Sequence, residues 1–183
     1  YLKYHYGPEF FAALLSTELS NMEKVKIYIN DCKNYEIEVL PPDINESIWH
    51  FNVVNRNVRF GMGAIKNVGE IAITAVEKER KESGPFKNFI DFCLRVNLKQ
   101  VNKKVVESLI KVGAFDECES RNRKTLVSNM ELILAYSSKK QDAQAMGQSS
   151  LFDMDQSDNS SNGDMLDIEN IEKELNSDVY SSQ

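Results

Sequence analysis

From Gly61 to Tyr136 the apolar residues recur at helical spacing in short runs, and glycine, proline or a polar turn ends each run before a long helix can form. Such a chain has to fold as a succession of short helices joined by tight turns. Ile65 and Val68, then Ile71, Ala72, Ala75 and Val76, lead from Gly61 into the charged run Glu77-Lys78-Glu79-Arg80-Lys81-Glu82, which Ser83-Gly84-Pro85 stops. Residues 88–95 carry Phe89, Phe92 and Cys93. Residues 103–112 carry Val105, Val106, Leu109 and Ile110 behind the cap Asn102, and 125–136 carry Leu126, Val127, Met130, Ile133 and Leu134.

Two helices precede this region. Residues 1–16 place Phe10, Phe11, Leu14 and Leu15 at helical spacing with Pro8 in the first turn, and 22–35 place Val25, Tyr28, Ile29 and Cys32 on one stripe behind Asn21. Residues 36–40 alternate like a strand that Pro41-Pro42 ends. The β-prone runs 51–54 and 58–60 flank Asn55-Arg56-Asn57, which reads as a three-residue hairpin turn. The fold class expected is mainly α with a small β-hairpin. After Ser137 the apolar period fades, and 153–164 are almost wholly Asp, Ser, Asn, Gln and Gly. That composition buries too little apolar surface to offset chain entropy, so an acidic disordered C-terminal tail is expected, with at most a weak helix over 165–175.

The net charge of −6 is unevenly spread: the balance is −4 over 1–50, +4 over 51–100, +3 over 101–140 and −9 over 141–183. The basic centre suits a polyanion, though lysine and arginine also serve simply to solvate helix faces. The chain starts at Tyr1 without a methionine and looks like an excerpt. It has no run of apolar residues long enough for a membrane span, and no secretory leader, so no membrane role is expected. Three widely spaced cysteines and two histidines suggest neither a disulfide framework nor a zinc site, which fits a reducing, cytoplasmic setting. Catalytic chemistry finds no support. Asp31, Asp43, Asp91 and Asp116 are isolated, and no Walker loop, nucleophile elbow or Cys–His motif occurs. Trp49 and the tyrosines Tyr1, Tyr4 and Tyr6 have the spacing of packing residues, although they are also able to stack on bases.

Two glycine turns carry the functional expectation. Gly61-Met62-Gly63-Ala64-Ile65-Lys66-Asn67-Val68-Gly69-Glu70 reads as a short helix, a hairpin closed by Gly69 and a second helix. A helix-hairpin-helix of this kind presents backbone N–H groups and a positive helix end to a phosphate, with Lys66 and Asn67 adding a charge and a donor. An ordinary helix cap with ordinary alanine packing also fits these residues. Lys111-Val112-Gly113-Ala114-Phe115 forms the second turn, and a pair of such units holds neighbouring phosphates of a duplex without reading its bases. Further on, Gln148-Ser149-Ser150-Leu151-Phe152 sets an apolar pair in a polar stretch, the pattern of a linear motif that fits two side chains into a partner's pocket. The pair also has the option of docking back onto the helices.

Four stretches taken together resemble one family. Tyr-Leu-Lys-Tyr-His-Tyr with Glu-Phe-Phe-Ala-Ala-Leu-Leu-Ser within 1–16, Val-Leu-Pro-Pro-Asp-Ile-Asn-Glu-Ser at 39–47, Arg-Phe-Gly-Met-Gly-Ala-Ile-Lys-Asn-Val-Gly at 59–69, and Val-Asn-Lys-Lys-Val-Val-Glu-Ser-Leu-Ile-Lys-Val-Gly-Ala-Phe-Asp at 101–116 are similar to the alpha subunits of bacterial replicative DNA polymerase III. The resemblance covers about residues 1–152. It implies the end of a fingers domain at 1–50, a tandem helix-hairpin-helix region at 51–136 and a flexible acidic segment at 137–183 with a sliding-clamp-binding motif at 148–152. It implies template–primer duplex as a partner, held through Lys66, Asn67, Gly69, Lys111 and Gly113. The beta sliding clamp is a second partner, met by Gln148, Leu151 and Phe152, and the other subunits of the replicative holoenzyme are further ones. The family's catalytic aspartates and their magnesium belong to a palm upstream of Tyr1, so no catalytic residue, metal ligand or cofactor is expected within this chain. Where the family usually has a second glycine this chain has Ile71, which leaves Gly69 to make the turn. A free-standing helix-hairpin-helix adaptor without polymerase activity, or a helical scaffold with no DNA role, are the alternatives.

Overall fold

The computed structural model describes residues 2–149, and the chain divides into two compact units, Tyr1–Ser120 and Arg121–Gln183. The first unit opens with α1 (Leu2–His5), α2 (Gly7–Thr17) and α3 (Met22–Lys33). Pro8 sits in the first turn of α2, where its missing N–H costs nothing. Asn21 caps α3 by accepting a hydrogen bond from the Lys24 N–H at 3.2 Å.

Three short strands follow: β1 (Val39–Leu40), β2 (Asn52–Val54) and β3 (Asn57–Arg59), in the order β1-β3-β2. The hairpin expected from the sequence is β2–β3. Its turn has two central residues, not three: Asn55 and Arg56 lie at φ 51° and 66°, the paired positive values of a type I′ turn. Asn57 belongs to β3 and pairs with Val54. β1 adds a parallel partner to β3, with Val39 opposite Val58, and the strand expected over 36–40 shrinks to two residues before Pro41. Beneath the sheet, Phe11, Leu15, Val25, Cys32, Ile37, Phe51 and Val58 form one apolar core with α2 and α3.

Residues 41–47 then tie the two halves of the unit together. Asp43 accepts from the N–H groups of Asn45 and Glu46 at 2.7 and 2.9 Å, which fixes a tight turn. The Asn45 amide pairs with the backbone of Phe86 in both directions, at 2.7 and 3.0 Å, and Ile44 donates to the Ala114 carbonyl at 2.8 Å. These bonds, with the Phe51 N–H donating to Ser16 Oγ at 3.1 Å, run across residue 50 within the compact unit Tyr1–Ser120.

The region after β3 is less helical than its apolar spacing suggests. Only Met62–Ala64 winds, as a single 3₁₀ turn, before α4 (Glu70–Ser83), α5 (Phe89–Arg95) and α6 (Lys103–Val112). Gly61 and Gly63 are needed for close approach. A Cβ on Gly61 would lie 2.6 Å from the Phe51 nitrogen, and one on Gly63 would lie 2.8 Å from the Trp49 ring, which confirms Trp49 as a packing residue. Phe86, Phe89, Phe92 and Phe115 make edge-to-face pairs at 5.0–5.1 Å, and Glu119 accepts from the Phe89 N–H at 3.1 Å, satisfying the start of α5. Arg95 closes this corner. Its guanidinium bonds Glu79, Asp91 and the carbonyls of Gly84 and Pro85 while lying 4.6 Å from the Phe86 ring centre.

The second unit contains α7 (Arg123–Ser149). Asn122 caps it, accepting from the Thr125 N–H at 2.8 Å, and Leu126, Met130 and Ile133 are buried along one stripe. The helix expected over 125–136 runs on to Ser149, so 137–149 is helical where a flexible segment was expected. Lys139, Lys140, Gln141, Ala143, Gln144, Ala145 and Met146 are strong helix formers, and propensity extends the helix where the apolar stripe has ended. Gln148 lies on this helix, whereas Leu151, Phe152 and the acidic stretch at 153–183 lie outside the described residues.

Candidate nucleic-acid interface

The turn between the 3₁₀ segment and α4 is built by Asn67. It occupies the left-handed region at φ 66°, a conformation that asparagine tolerates better than most residues, and Val68 donates back to Ile65 at 3.2 Å. Gly69, expected to make this turn, is extended at φ −101° and ψ 153° and serves as the N-cap of α4. A Cβ there would meet nothing within 4 Å. Neither conformation nor packing within the chain demands a glycine at this position. No acceptor among the described residues meets the N–H groups of Gly69, Glu70 and Ile71, so the first turn of α4 presents open donors beside an extended glycine. Ile71 is 71% exposed on the same turn.

Gly113 plays a different part. It is the left-handed C-cap of α6, at φ 82°, and its N–H donates to the carbonyls of Leu109 and Ile110. Ala114 donates to Leu109 at 3.0 Å, and both residues are buried. The second corner therefore has no open amide at Gly113: the N–H groups that a phosphate would need are consumed in closing the helix, at its negative end.

What the fold does bring together is side chains. Lys66 and Asn67 line one side of a cleft of about 460 Å³, and Lys104, Glu107, Ser108 and Lys111 line the other from the outer face of α6. Val105, Val106, Leu109 and Ile110 hold the opposite face of that helix in the core, which fixes the direction of the lysines. Three of the residues named from the sequence thus meet, while Gly69 and Gly113 do not line the cleft. Lys104 and Ser108 were missed, although the spacing 104, 108, 111 on an amphipathic helix signals them.

Three lysines face one carboxylate here. Lys111 bonds Glu107 Oε1 at 2.5 Å, and this hydrogen bond, with the charge of Lys111 and more weakly that of Lys103, holds the Glu107 carboxyl below its ordinary range. Lys66 and Lys104 make no ion pair among the described residues. The cleft is thus a net positive, donor-lined groove with open backbone N–H groups close by in sequence, suited to an extended anion. Cysteine chemistry is absent from it. None of the three thiols forms a disulfide, and burial pushes Cys32 and Cys118 up to about 11 and Cys93 higher still. Among the described residues no cluster of three or more His, Cys, Asp or Glu is placed to hold a metal, and no helix is long and apolar enough to cross a membrane.

Residues 36–126, which contain this groove and both corners, match the family described as helix-hairpin-helix motif. Over 153 residues, 83% of its length, the chain is 41% identical to the DNA polymerase III subunit alpha of Vibrio cholerae, and over 152 residues it is 43% identical to that of Thermus aquaticus. The chain belongs to the DNA polymerase III alpha-subunit family. It spans 13% and 12% of the length of those two relatives. Within the family segment the groove falls inside the helix-hairpin-helix match, and the mainly helical fold with a small sheet agrees with the expectation drawn from the sequence.

Proposed function

We propose that this chain is the duplex-holding segment of a replicative DNA-directed DNA polymerase, and that Lys66, Asn67, Lys104 and Ser108 contact the phosphates of template–primer DNA, with Lys111 beside them held by Glu107. The observation that carries the reading is the cleft itself, in which residues from a turn and from α6 face each other and three lysines stand against one carboxylate, with Lys66 and Lys104 making no ion pair among the described residues. Phosphate contacts of this kind position a duplex without reading it, which is what an enzyme that copies every sequence requires. Family membership and the helix-hairpin-helix match support the same reading. The open N–H groups at the start of α4 add donors, and Gly69 lets a sugar–phosphate chain come close to them. Polymerisation, with its magnesium-binding carboxylates, belongs to other parts of such an enzyme.

In the same proposal Gln148, Leu151 and Phe152 attach the polymerase to the beta sliding clamp, with the remaining holoenzyme subunits as further partners in the cytoplasm. Two modest attachments on one chain raise effective concentration, so a weak groove and a weak tether together sustain processive synthesis. The test of the groove separates charge from sequence. Replacing a run of phosphates in a short duplex with neutral methylphosphonates should weaken binding, while exchanging the base pairs with phosphates intact should leave it unchanged. Loss on base exchange, or indifference to the methylphosphonates, overturns phosphate gripping.

A further inference from the structure

A second cleft, of about 560 Å³, lies where the start of α2, the end of α3 and the tip of the β-hairpin meet, and the duplex reading makes no use of it. Lys3, His5 and Arg56 line it against a single carboxylate, Glu36, and the exposed ring of Tyr35 forms part of its wall. Its floor is firm. Gly7 lies so close to Ile37 that a Cβ on it would stand 2.8 Å from Cδ1, and Asn57 Oδ1 accepts the Glu38 N–H at 3.2 Å, which braces the hairpin tip.

Three features of this cleft point to one ligand chemistry. Arg56 occupies the second central position of a type I′ turn at φ 66°, where glycine is the favoured residue, and it makes no ion pair among the described residues. A bulky cation held in a glycine-favouring conformation without an ion pair among the described residues is a local conflict that the fold itself does not need. Lys3 Nζ stands 5.3 Å from the Phe10 ring centre and 5.7 Å from those of Phe11 and Tyr35, so its charge is fixed at the cleft without a counter-ion among these neighbours. Tyr35 is 42% exposed, and Tyr6, which lies in sequence between the lining residues His5 and Gly7, is 57% exposed, so aromatic surface is available beside the cations. A free phosphate would account for the cations and leave the rings idle. A duplex would account for the cations too, but its base faces are stacked on one another.

From this combination we infer that the cleft between α2, α3 and the hairpin tip binds single-stranded nucleic acid, with Lys3 and Arg56 on the backbone phosphates and Tyr35 under a base. Cations that follow a backbone, with an exposed ring for stacking, are the arrangement by which single strands are held without sequence preference. The site shares no residue with the Lys66–Lys104–Lys111 groove, so the two assignments stand or fall apart.

The experiment compares a fluorescein-labelled oligothymidine with a blunt hairpin duplex, both titrated with the 183-residue chain over a salt series. Arg56→Asn keeps a residue that favours the turn while removing the charge. It should weaken oligothymidine binding about threefold or more and lower the log–log salt slope by about 0.7, the value for one lost single-strand contact. Tyr35→Leu keeps an apolar group against Phe11 and should weaken oligothymidine binding about fivefold or more, while Tyr35→Phe retains wild-type affinity. None of the three should change duplex affinity. The inference is overturned if Arg56→Asn and Tyr35→Leu bind oligothymidine as the wild type does, if they weaken both nucleic acids alike, or if Lys66→Gln with Lys104→Gln removes all oligothymidine binding.

Discussion

The arrangement of charge in the Lys66–Lys111 cleft makes the salt dependence of duplex binding a direct measure of which ammonium groups are available. Each lysine that neutralises a phosphate contributes about 0.9 to the slope of log affinity against log salt. Among the described residues Lys66 and Lys104 make no ion pair, whereas Lys111 is engaged by Glu107, so the groove should supply two lysines and a slope of about 1.8. Between 50 and 200 mM salt that share of the binding constant falls about 12-fold. Lys66→Gln and Lys104→Gln should each reduce the fall to about 3.5-fold. Lys111→Gln should leave the slope nearly as it is, because its partner is already Glu107. Glu107→Gln should do the reverse of a lysine loss: it removes the one carboxylate lining the groove and should raise the slope above that of the wild type. Contacts elsewhere add a constant to every variant, so the differences isolate the groove. Fluorescence anisotropy with a labelled hairpin duplex at four salt concentrations reads all five proteins. The reasoning fails if the five slopes coincide, or if Lys111→Gln lowers the slope as much as Lys66→Gln does.

Other expectations follow from particular contacts. Arg95→Ala strips Glu79 and Asp91 of their cation and uncovers the Phe86 ring, and should cost about 3 kcal/mol in a urea titration, near the lower end for breaking a largely buried pair; Arg95→Lys should recover only part of it. Gly63→Ala should destabilise the fold through the Trp49 ring, whereas Gly69→Ala should leave the denaturation midpoint unchanged and weaken duplex binding, a contrast that denaturation and binding assays made side by side would show. The Glu107 carboxyl, followed by NMR, should titrate below its ordinary range and return to it in Lys111→Gln. Any stability it supplies is present above the ordinary carboxylate range and lost as pH falls through the lowered value. Leu151→Ala with Phe152→Ala should abolish binding to a beta sliding clamp in a pull-down while leaving the far-ultraviolet helical signal intact.

The helices from α2 to α6 were legible because their signals are local: a cap such as Asn21 or Asn102, an apolar stripe, and a stop such as Gly84 or Gly113 all lie within a few residues of the element they define. The parallel pairing of β1 with β3 was not legible, since it depends on two strands far apart in sequence and carries no turn signature. The two corners show the same limit at the level of single atoms. A glycine between helical runs announces a turn at both 69 and 113, yet the composition of the turn does not say which residue takes positive φ or where each N–H is spent. At the first corner Asn67 took the left-handed conformation and left Gly69 extended with an open donor; at the second, Gly113 took it and gave its donor to Leu109 and Ile110. The backbone N–H groups are therefore open at one corner and spent at the other, while Lys66 and Lys111 line the cleft either way, because they are placed by helix and turn geometry that does not depend on which residue takes the positive φ. The same reasoning recovers Lys104 and Ser108: once the buried face of α6 is fixed by Val105, Val106, Leu109 and Ile110, the residues at 104, 108 and 111 share the other face, and a groove across from Lys66 follows from periodicity and one loop–helix packing.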